Sequence, residues 1–227
     1  MTYVFPPPTP TAVPVDSGGL FPVRRIFCVG RNYAAHAREM GADPDREPPF
    51  FFMKPADAIV RDGDVIPFPQ ATTDLHHEVE LVVALLHGGR DVAPERAAEL
   101  IYGYAVGIDL TRRDLQAAAK AAGRPWDMAK GFDRSAPIST IARRIDGHAL
   151  DRGAITLAVN GQMRQSADIA DMIWPVADTI AHLSRLVELQ PGDLIYTGTP
   201  EGVGPVKPGE TLEAAIDGVG RLTVTIE

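Results

Sequence analysis

Two glutamates stand two residues apart in an apolar stretch, and their spacing suggests metal-binding chemistry. Glu78 and Glu80 lie in residues 74–84, whose alternating pattern is typical of a β-strand. A strand places alternate side chains on one face, so both carboxylates point the same way, with their Cα atoms roughly 7 Å apart. Two like charges on a half-buried strand repel each other. The pattern therefore predicts either a cation between the carboxylates or a solvent-facing strand edge.

A third carboxylate, Asp109, ends the next predicted strand, residues 101–110. On the same face it is preceded by Gly103, Ala105 and Gly107. Because these residues have almost no side chain, we expect room beside the carboxylate for a group that is not protein. Three oxygen ligands without a cysteine suit Mg²⁺, Mn²⁺ or Ca²⁺ better than zinc or copper. Three protein ligands also leave coordination positions open for substrate and water, as catalytic sites do.

Two further patterns could supply acid–base or electrostatic chemistry. His36 and Glu39 lie three residues apart on a predicted helix over residues 34–40. They share a face, and a histidine oriented by a carboxylate can deprotonate water. The alternative is an ordinary surface pair. Lys130 lies among aromatic residues in the predicted loop 126–132, where it could stabilise developing negative charge or cover apolar surface with its stem.

Weaker signals come from a glycine-rich loop and from two isolated residues. Thr199 lies in the loop 198–204, whose glycines let backbone amides approach an anion closely. His77 falls on the strand face opposite Glu78, which indicates a core or supporting histidine. Cys28 lies in an apolar run and is interpreted as a small core residue.

Composition excludes several classes of protein. The chain has 227 residues, of which 45% are hydrophobic, and a formal net charge of -8. The acidic balance argues against a nucleic-acid partner, and no apolar stretch reaches the length of a membrane span. A single cysteine favours a reducing, cytoplasmic setting.

Residues 1–22 are rich in proline and are interpreted as an extended arm rather than a signal peptide. Residues 23–227 are expected to form a single catalytic domain.

The predicted elements indicate a β-rich α+β fold. Thr111 and Asp114 resemble a capping box that opens an alanine-rich helix, and a second helix is expected from about Pro175 to Val187. Asn160-Gly161 between two alternating runs predicts a hairpin with a type I′ turn. Strands and helices do not alternate regularly, so a mixed, largely antiparallel sheet assembly is expected.

Several ordered motifs resemble the fumarylacetoacetate hydrolase family, in its short single-domain acylpyruvate hydrolase branch. In family order, the matching segments are residues 28–33, 36–39, 52–55, 75–81, 109–116, 129–132, 159–161 and 197–204. Two departures stand out. The N-terminal domain of longer relatives is replaced by the proline-rich arm, and Gly131 occupies a position where relatives often carry serine.

This resemblance implies a mixed β-sandwich roll of the family's C-terminal-domain type, with a few short helices, that forms a homodimer. It implies one Mg²⁺ or Mn²⁺ per subunit. It also assigns roles to nine residues. The metal ligands are Glu78, Glu80 and Asp109, water activation and charge stabilisation fall to His36, Glu39 and Lys130, and the substrate contacts are Arg31, Gln116 and Thr199.

The expected reaction is hydrolysis of the carbon–carbon bond of a small 2,4-dioxo acid. The resemblance favours conversion of fumarylpyruvate to fumarate and pyruvate, in gentisate breakdown. Oxaloacetate decarboxylation and keto–enol isomerisation are alternatives, because both pass through an enolate that a cation stabilises and neither needs an attacking water. A third alternative is a non-catalytic protein that binds a keto acid and uses the metal for structure or sensing.

Overall fold

The computed structural model describes residues 2–34, 48–144 and 149–227. Within these ranges the strands β1 to β18 are, in chain order, Ala12–Pro14, Leu20–Pro22, Arg25–Gly30, Phe50–Lys54, Ile59–Arg61, Val65–Ile66, Leu75–His77, Val79–Leu85, Ile101–Ile108, Thr111–Arg112, Ala136–Ile138, Ala142–Arg143, Ala154–Val159, Gln162–Asp168, Asp193–Tyr196, Gly204–Val206, Thr211–Ile216 and Gly220–Ile226. The α-helices α1 to α3 are Arg113–Ala121, Asp127–Lys130 and Val176–Leu186. Short 3₁₀ helices span Ala56–Ala58, Pro94–Leu100 and Ile169–Asp171. None of the described helices has both the length and the apolar character needed to cross a membrane.

The largest sheet has its strands in the order β4-β3-β15-β8-β9-β11-β5, with β12 also paired to β9. Most of its pairs are antiparallel, whereas β15 with β3 and β11 with β5 are parallel. Every residue of β8 is buried. A strand that is covered on both faces has a nearly continuous apolar sequence, which explains the run Leu81-Val82-Val83-Ala84. The predicted β-rich α+β class is confirmed.

A second sheet, with the order β14-β13-β17-β18-β6, covers one face of the first. Alternate residues of β13 are buried, and they pack in the main core beside residues of β8 such as Leu81. Strands β13 and β14 form the predicted hairpin. Asn160 and Gly161 have φ angles of 50° and 74°, so the type I′ turn is confirmed.

The N-terminal segment contributes to the opposite face of the large sheet. Strands β1 and β2 pair as a small hairpin. Their side chains Val13 and Phe21 are buried in a second apolar cluster that contains Ile26 and Cys28 of β3. Burial of each large apolar side chain contributes about 1.5–3 kcal/mol, which fixes this part of the arm on the body. The interpretation of Cys28 as a core residue is also correct.

The strand predicted over residues 74–84 is divided at Glu78. Before it, β7 belongs to a small sheet with β10 and β16. After it, β8 pairs with β9 and β15 in the large sheet. The predicted faces are retained, since Leu75, Val79 and Leu81 share the main core while Val82 lies in the second cluster. Glu78 therefore lies where one continuous segment passes from one sheet to another.

Three local predictions were wrong. Thr111 does not cap α1, because its backbone pairs with His76 and its hydroxyl donates to the Asp109 carbonyl. Asp114 instead accepts hydrogen bonds from the residues before β7.

The second wrong prediction concerns residues 126–132, because part of this predicted loop forms the short helix α2. The third concerns the small residues of β9. A side chain at Gly107 would lie 2.5 Å from the Tyr196 ring, so that space holds an aromatic residue rather than a ligand.

Candidate metal centre and active site

The three predicted metal-binding carboxylates lie together. Antiparallel pairing of Val79 with Ile108 brings the start of β8 beside the end of β9, and the Asp109 amide donates to the Glu78 carbonyl at 2.8 Å. One carboxylate oxygen from each of Glu78, Glu80 and Asp109 lies within 4.8 Å of the others, and all three residues are buried. The alternative prediction, in which Glu78 and Glu80 lie on a solvent-facing strand edge, is therefore wrong.

The chemistry of this triad of carboxylates suits a hard divalent cation. Its ligand atoms are all oxygens, which favours Mg²⁺ or Mn²⁺ over softer metals. Two oxygens on opposite sides of a six-coordinate Mg²⁺ lie about 4 Å apart. Small side-chain shifts would therefore bring these atoms around a single ion. Burial raises the pKa of Glu80 well above its usual value, and the nearby Asp109 and Glu78 carboxylates raise it further, which is the repulsion that a cation would relieve.

Lys130 lies directly against the triad. Its Nζ atom lies 2.7 Å from Glu78 Oε2, from Asp109 Oδ2 and from Thr111 Oγ1. Burial alone would lower the pKa of this ammonium group, but the Asp109 and Glu78 carboxylates outweigh burial and raise that pKa above its usual value. The side chain is thus a fixed positive charge at the site, and α2 ends at this residue so that it points inward.

A second buried lysine, Lys54, closes the other side of Asp109. Its Nζ atom forms an ion pair with Asp109 Oδ1 at 2.8 Å. It also donates to the carbonyl oxygens of Leu110 and Lys130. Lys54 ends β4, so one ammonium group ties this edge strand to the triad and to the end of α2.

Helix α1 places a guanidinium and an amide beside Glu78. Arg113 Nη2 lies 2.5 Å from Glu78 Oε1, and its Nη1 donates to Gln116 Oε1 at 2.5 Å. Both residues lie in the first turn or so of α1, and Gln116 is buried. The arrangement holds the Gln116 amide at the wall of the site, with its oxygen engaged and its NH₂ group able to act as a donor.

The loop that carries Thr199 is fixed by a buried glutamine. Gln165 Nε2 donates to Thr199 Oγ1 at 2.8 Å and to the Pro200 carbonyl at 2.9 Å. Its Oε1 accepts from the Val79 amide and contacts His77 Nδ1, both at 3.0 Å. Burial lowers the pKa of His77. His77 is therefore a neutral supporting residue, with its Nδ1 proton directed to the glutamine.

These groups surround a small cavity of about 30 Å³, which is enough for about two water molecules. Its lining includes six of the nine predicted site residues, and Asp109 lies behind it in the triad. The six are Arg31, Glu78, Glu80, Gln116, Lys130 and Thr199. The other two predicted residues, His36 and Glu39, lie outside the described part of the chain.

Three residues at the site escaped the sequence predictions. Lys54 and Arg113 lie within the matching segments 52–55 and 109–116. Those motifs mark both residues but do not indicate which carboxylates they contact. Gln165 carries no local signal, because its contacts join positions 34 to 88 residues away along the chain.

Comparison with known proteins places this fold and site in a family. Residues 25–227 match the family described as fumarylacetoacetate (FAA) hydrolase C-terminal. The chain belongs to the fumarylacetoacetate hydrolase family, and the predicted family and β-roll fold are confirmed.

Individual relatives carry more specific names. The crystal structure of fumarylpyruvate hydrolase from Pseudomonas aeruginosa in complex with Mn²⁺ and pyruvate matches with a TM-score of 0.96 and 51% identity, over 99% of each chain. A fumarylpyruvate hydrolase from Ralstonia sp is 43% identical over 82% of this chain and 98% of its own length. A mitochondrial oxaloacetate tautomerase from Arabidopsis thaliana is 43% identical over 89% of this chain and 91% of its own length.

Proposed function

We propose that this protein is a divalent-metal-dependent hydrolase that cleaves acylpyruvates, with fumarylpyruvate as the preferred substrate and fumarate and pyruvate as products. The observation that carries this proposal is the buried triad of Glu78, Glu80 and Asp109. The chain is also 51% identical in sequence to a fumarylpyruvate hydrolase whose crystal structure contains Mn²⁺ and pyruvate.

The difficult step is departure of a carbanion. Water adds to the 4-carbonyl of the dioxo acid, the bond between C3 and C4 breaks, and its electron pair moves to C3 and on to the 2-oxo oxygen as an enolate. Protonation of C3 then gives pyruvate, and the hydrated carbonyl becomes the carboxylic acid. One water is consumed and no oxidant is needed. The site must therefore provide a base for water and positive charge for the enolate.

Residues of this chain meet the charge requirement. A Mg²⁺ or Mn²⁺ ion held by Glu78, Glu80 and Asp109 would supply Lewis-acid polarisation of the substrate oxygens. Lys130 provides a fixed ammonium group at the same place. Gln116 donates from the cavity wall, where Arg31 and Thr199 orient the substrate. Preorganised charge of this kind lowers a barrier because it needs no rearrangement when the charge develops.

Water activation is assigned to His36 with Glu39. Their three-residue spacing in the sequence supports this role, as does the order of the family motifs. His36 would take the proton of the attacking water, and Glu39 would orient the imidazole and stabilise its charged form.

The proposal is tested by following loss of enol absorbance with fumarylpyruvate and acetylpyruvate, in the presence of Mg²⁺ or Mn²⁺ and after removal of metal by a chelator. We expect turnover only with metal, and loss of turnover in Glu78→Ala with a retained circular dichroism spectrum. Full activity of Glu78→Ala in metal-free buffer would contradict the scheme.

Oxaloacetate chemistry is a second candidate, because an oxaloacetate tautomerase of Arabidopsis thaliana and an oxaloacetate decarboxylase of Dictyostelium discoideum are 43% and 41% identical to the chain. Neither reaction needs an attacking water. His36→Ala therefore separates the candidates: it should remove acylpyruvate cleavage, whereas an oxaloacetate enzyme would retain its decarboxylase or tautomerase activity.

The cellular setting is also part of the proposal. A homodimer in the cytoplasm that acts in gentisate breakdown is supported by the family order of the motifs, by the single cysteine and by the fumarylpyruvate hydrolases among the relatives. Light scattering of the purified protein tests the dimer, since a monomer mass would contradict it.

A further inference from the structure

A larger groove opens beside the cavity that contains the triad, and we call it the aromatic groove. It has a volume of about 420 Å³, and its lining includes Phe50, Phe52, Met53, Arg124, Pro125 and Trp126. None of these residues has a role in the chemistry described above. The groove is much larger than the 30 Å³ cavity, so it can hold a part of a ligand that the cavity cannot.

The wall of the aromatic groove is a set of packed rings. Trp126 meets Phe50 edge-on with ring centroids 5.3 Å apart, and Phe52 lies 6.2 Å from the same indole ring. Gly30 makes this packing possible, because a Cβ atom there would lie 2.0 Å from the Phe50 ring. These tilted rings offer apolar faces and edges against which a planar, conjugated group can pack.

The aromatic groove is continuous with the triad. Phe52, Trp126 and Lys130 line both the groove and the small cavity. Lys130 Nζ lies 5.1 Å from the Phe52 ring centroid while it contacts Glu78 and Asp109. A substrate bound to a cation that Glu78, Glu80 and Asp109 would hold could therefore extend its remaining atoms along the rings.

Arg124 places a positive charge in the aromatic groove. It follows the end of α1, where its amide donates to the Ala119 carbonyl at 2.8 Å, and its side chain is exposed. No carboxylate of the described residues forms an ion pair with its guanidinium. Of the other charged groups in the groove, Lys130 is engaged at the triad and Asp127 is negative. Among the described residues that line the groove, Arg124 is therefore the cation available to attract an anion.

We propose that the aromatic groove is the subsite for the acyl end of the substrate and that Arg124 binds a carboxylate at that end. The inference rests on the proposed function and specifies it: the substrate class is a 2,4-dioxo acid with a second carboxylate on a planar acyl group, rather than a simple acetylpyruvate. A guanidinium suits this task because its donors match both oxygens of a carboxylate.

The test compares Arg124→Gln with wild type on two substrates, fumarylpyruvate, which has the second carboxylate, and acetylpyruvate, which lacks it. We expect kcat/KM for fumarylpyruvate to fall about tenfold or more, mainly through KM, as befits loss of a charge-assisted hydrogen bond. The value for acetylpyruvate should stay within twofold, which also shows that the variant folds. Arg221→Gln, an exposed arginine outside the groove, is the matched control and should change neither value.

Equal losses on both substrates, or no loss with fumarylpyruvate, would overturn the role of Arg124 and leave the proposed function standing. Failure of the wild-type protein with every acylpyruvate would overturn the proposed function, and this inference with it.

Discussion

The ammonium group of Lys54 lies 2.8 Å from Oδ1 of Asp109, while Lys130 contacts the other oxygen of the same carboxylate at 2.7 Å. One aspartate is thus held between two buried lysines. Arg113 and Lys130 pair with Glu78, while the Glu80 carboxylate accepts a hydrogen bond from the Gly198 amide. This pairing explains how Asp109 and Glu78 can be buried with their charges, since unpaired buried charges are very costly.

Lys54→Met should destabilise the protein. Removal of one partner of a buried ion pair costs about 3–5 kcal/mol, and the lower end applies because Lys130 remains on Asp109. The free energy of unfolding in urea measures the loss. Lys207→Met, at an exposed lysine, should stay within about 0.5 kcal/mol of wild type. Equal stability of both variants would show that the Lys54 contact contributes nothing.

Glu80→Gln should separate metal binding from stability. The raised pKa of Glu80 reflects burial and repulsion from Asp109 and Glu78, so a neutral side chain of the same shape relieves strain. Its oxygen can still accept from the Gly198 amide, which donates at 2.8 Å in the wild type. We expect metal-free unfolding free energy to be unchanged or higher, and titration calorimetry to show Mn²⁺ affinity reduced at least 100-fold.

Retention of tight Mn²⁺ binding in Glu80→Gln would remove Glu80 from the ligand set. Reduced metal-free stability would instead show that the ionised carboxylate is favourable where it lies.

Gln165→Leu should weaken both the fold and the substrate site. The substitution leaves the buried Val79 amide and the Pro200 carbonyl without their side-chain partner. Each unsatisfied buried group costs about 1–3 kcal/mol, so a loss of about 2–6 kcal/mol is expected for the two groups together. Because Thr199 also loses its anchor, KM should rise more than kcat falls. Gln162→Leu, at the exposed start of the same strand, is the control. A change in stability without any change in KM would exclude a positioning role.

Asp114→Asn should have a pH-dependent effect. Partial burial raises the pKa of Asp114, but hydrogen bonds from Thr72, Thr73 and Leu115 outweigh it and hold that pKa below its usual value. A carboxyl group with a lowered pKa in the folded state stabilises above its unfolded pKa of about 3.9 and loses this contribution as pH falls through the folded value. The variant should therefore be less stable than wild type by about 1 kcal/mol at pH 7.

That stability difference should shrink towards zero as the pH falls through about 4 to 2. Urea unfolding at a series of pH values measures it. Asp217→Asn, at an exposed carboxylate outside these hydrogen bonds, gives the baseline. A difference that stays constant down to pH 2 would contradict the assignment of the lowered pKa.

Local pattern was sufficient to find the triad but not the groups that support it. Glu78 and Glu80 share a face because a strand has a period of two. The alternation of side chains continues through Glu78, although the segment passes there from the small sheet to the large sheet. The small residues of β9 do not leave room for a ligand beside Asp109, since Gly107 accommodates the Tyr196 ring. The proximity of Asp109 to the glutamates follows from strand pairing instead.

Contacts between distant segments set the limit of prediction. Lys54 reaches carbonyl oxygens 56 and 76 residues away, and Gln165 reaches His77 across 88. No periodicity encodes such partners. The capping box failed for the same reason, because pairing of Thr111 with His76 in a small sheet competes with a local cap and wins.

The division of one segment between two sheets at Glu78 has a mechanical consequence. Glu80 belongs to the large sheet, whereas Glu78 stands at its border with the sheet formed by β7, β10 and β16. A shift of the small sheet relative to the large sheet would turn the backbone at Glu78 and so move its carboxylate relative to that of Glu80. Substitutions in the packing between these two sheets should therefore change the affinity for the cation without altering a ligand. A bound ion should in turn resist relative movement of the two sheets.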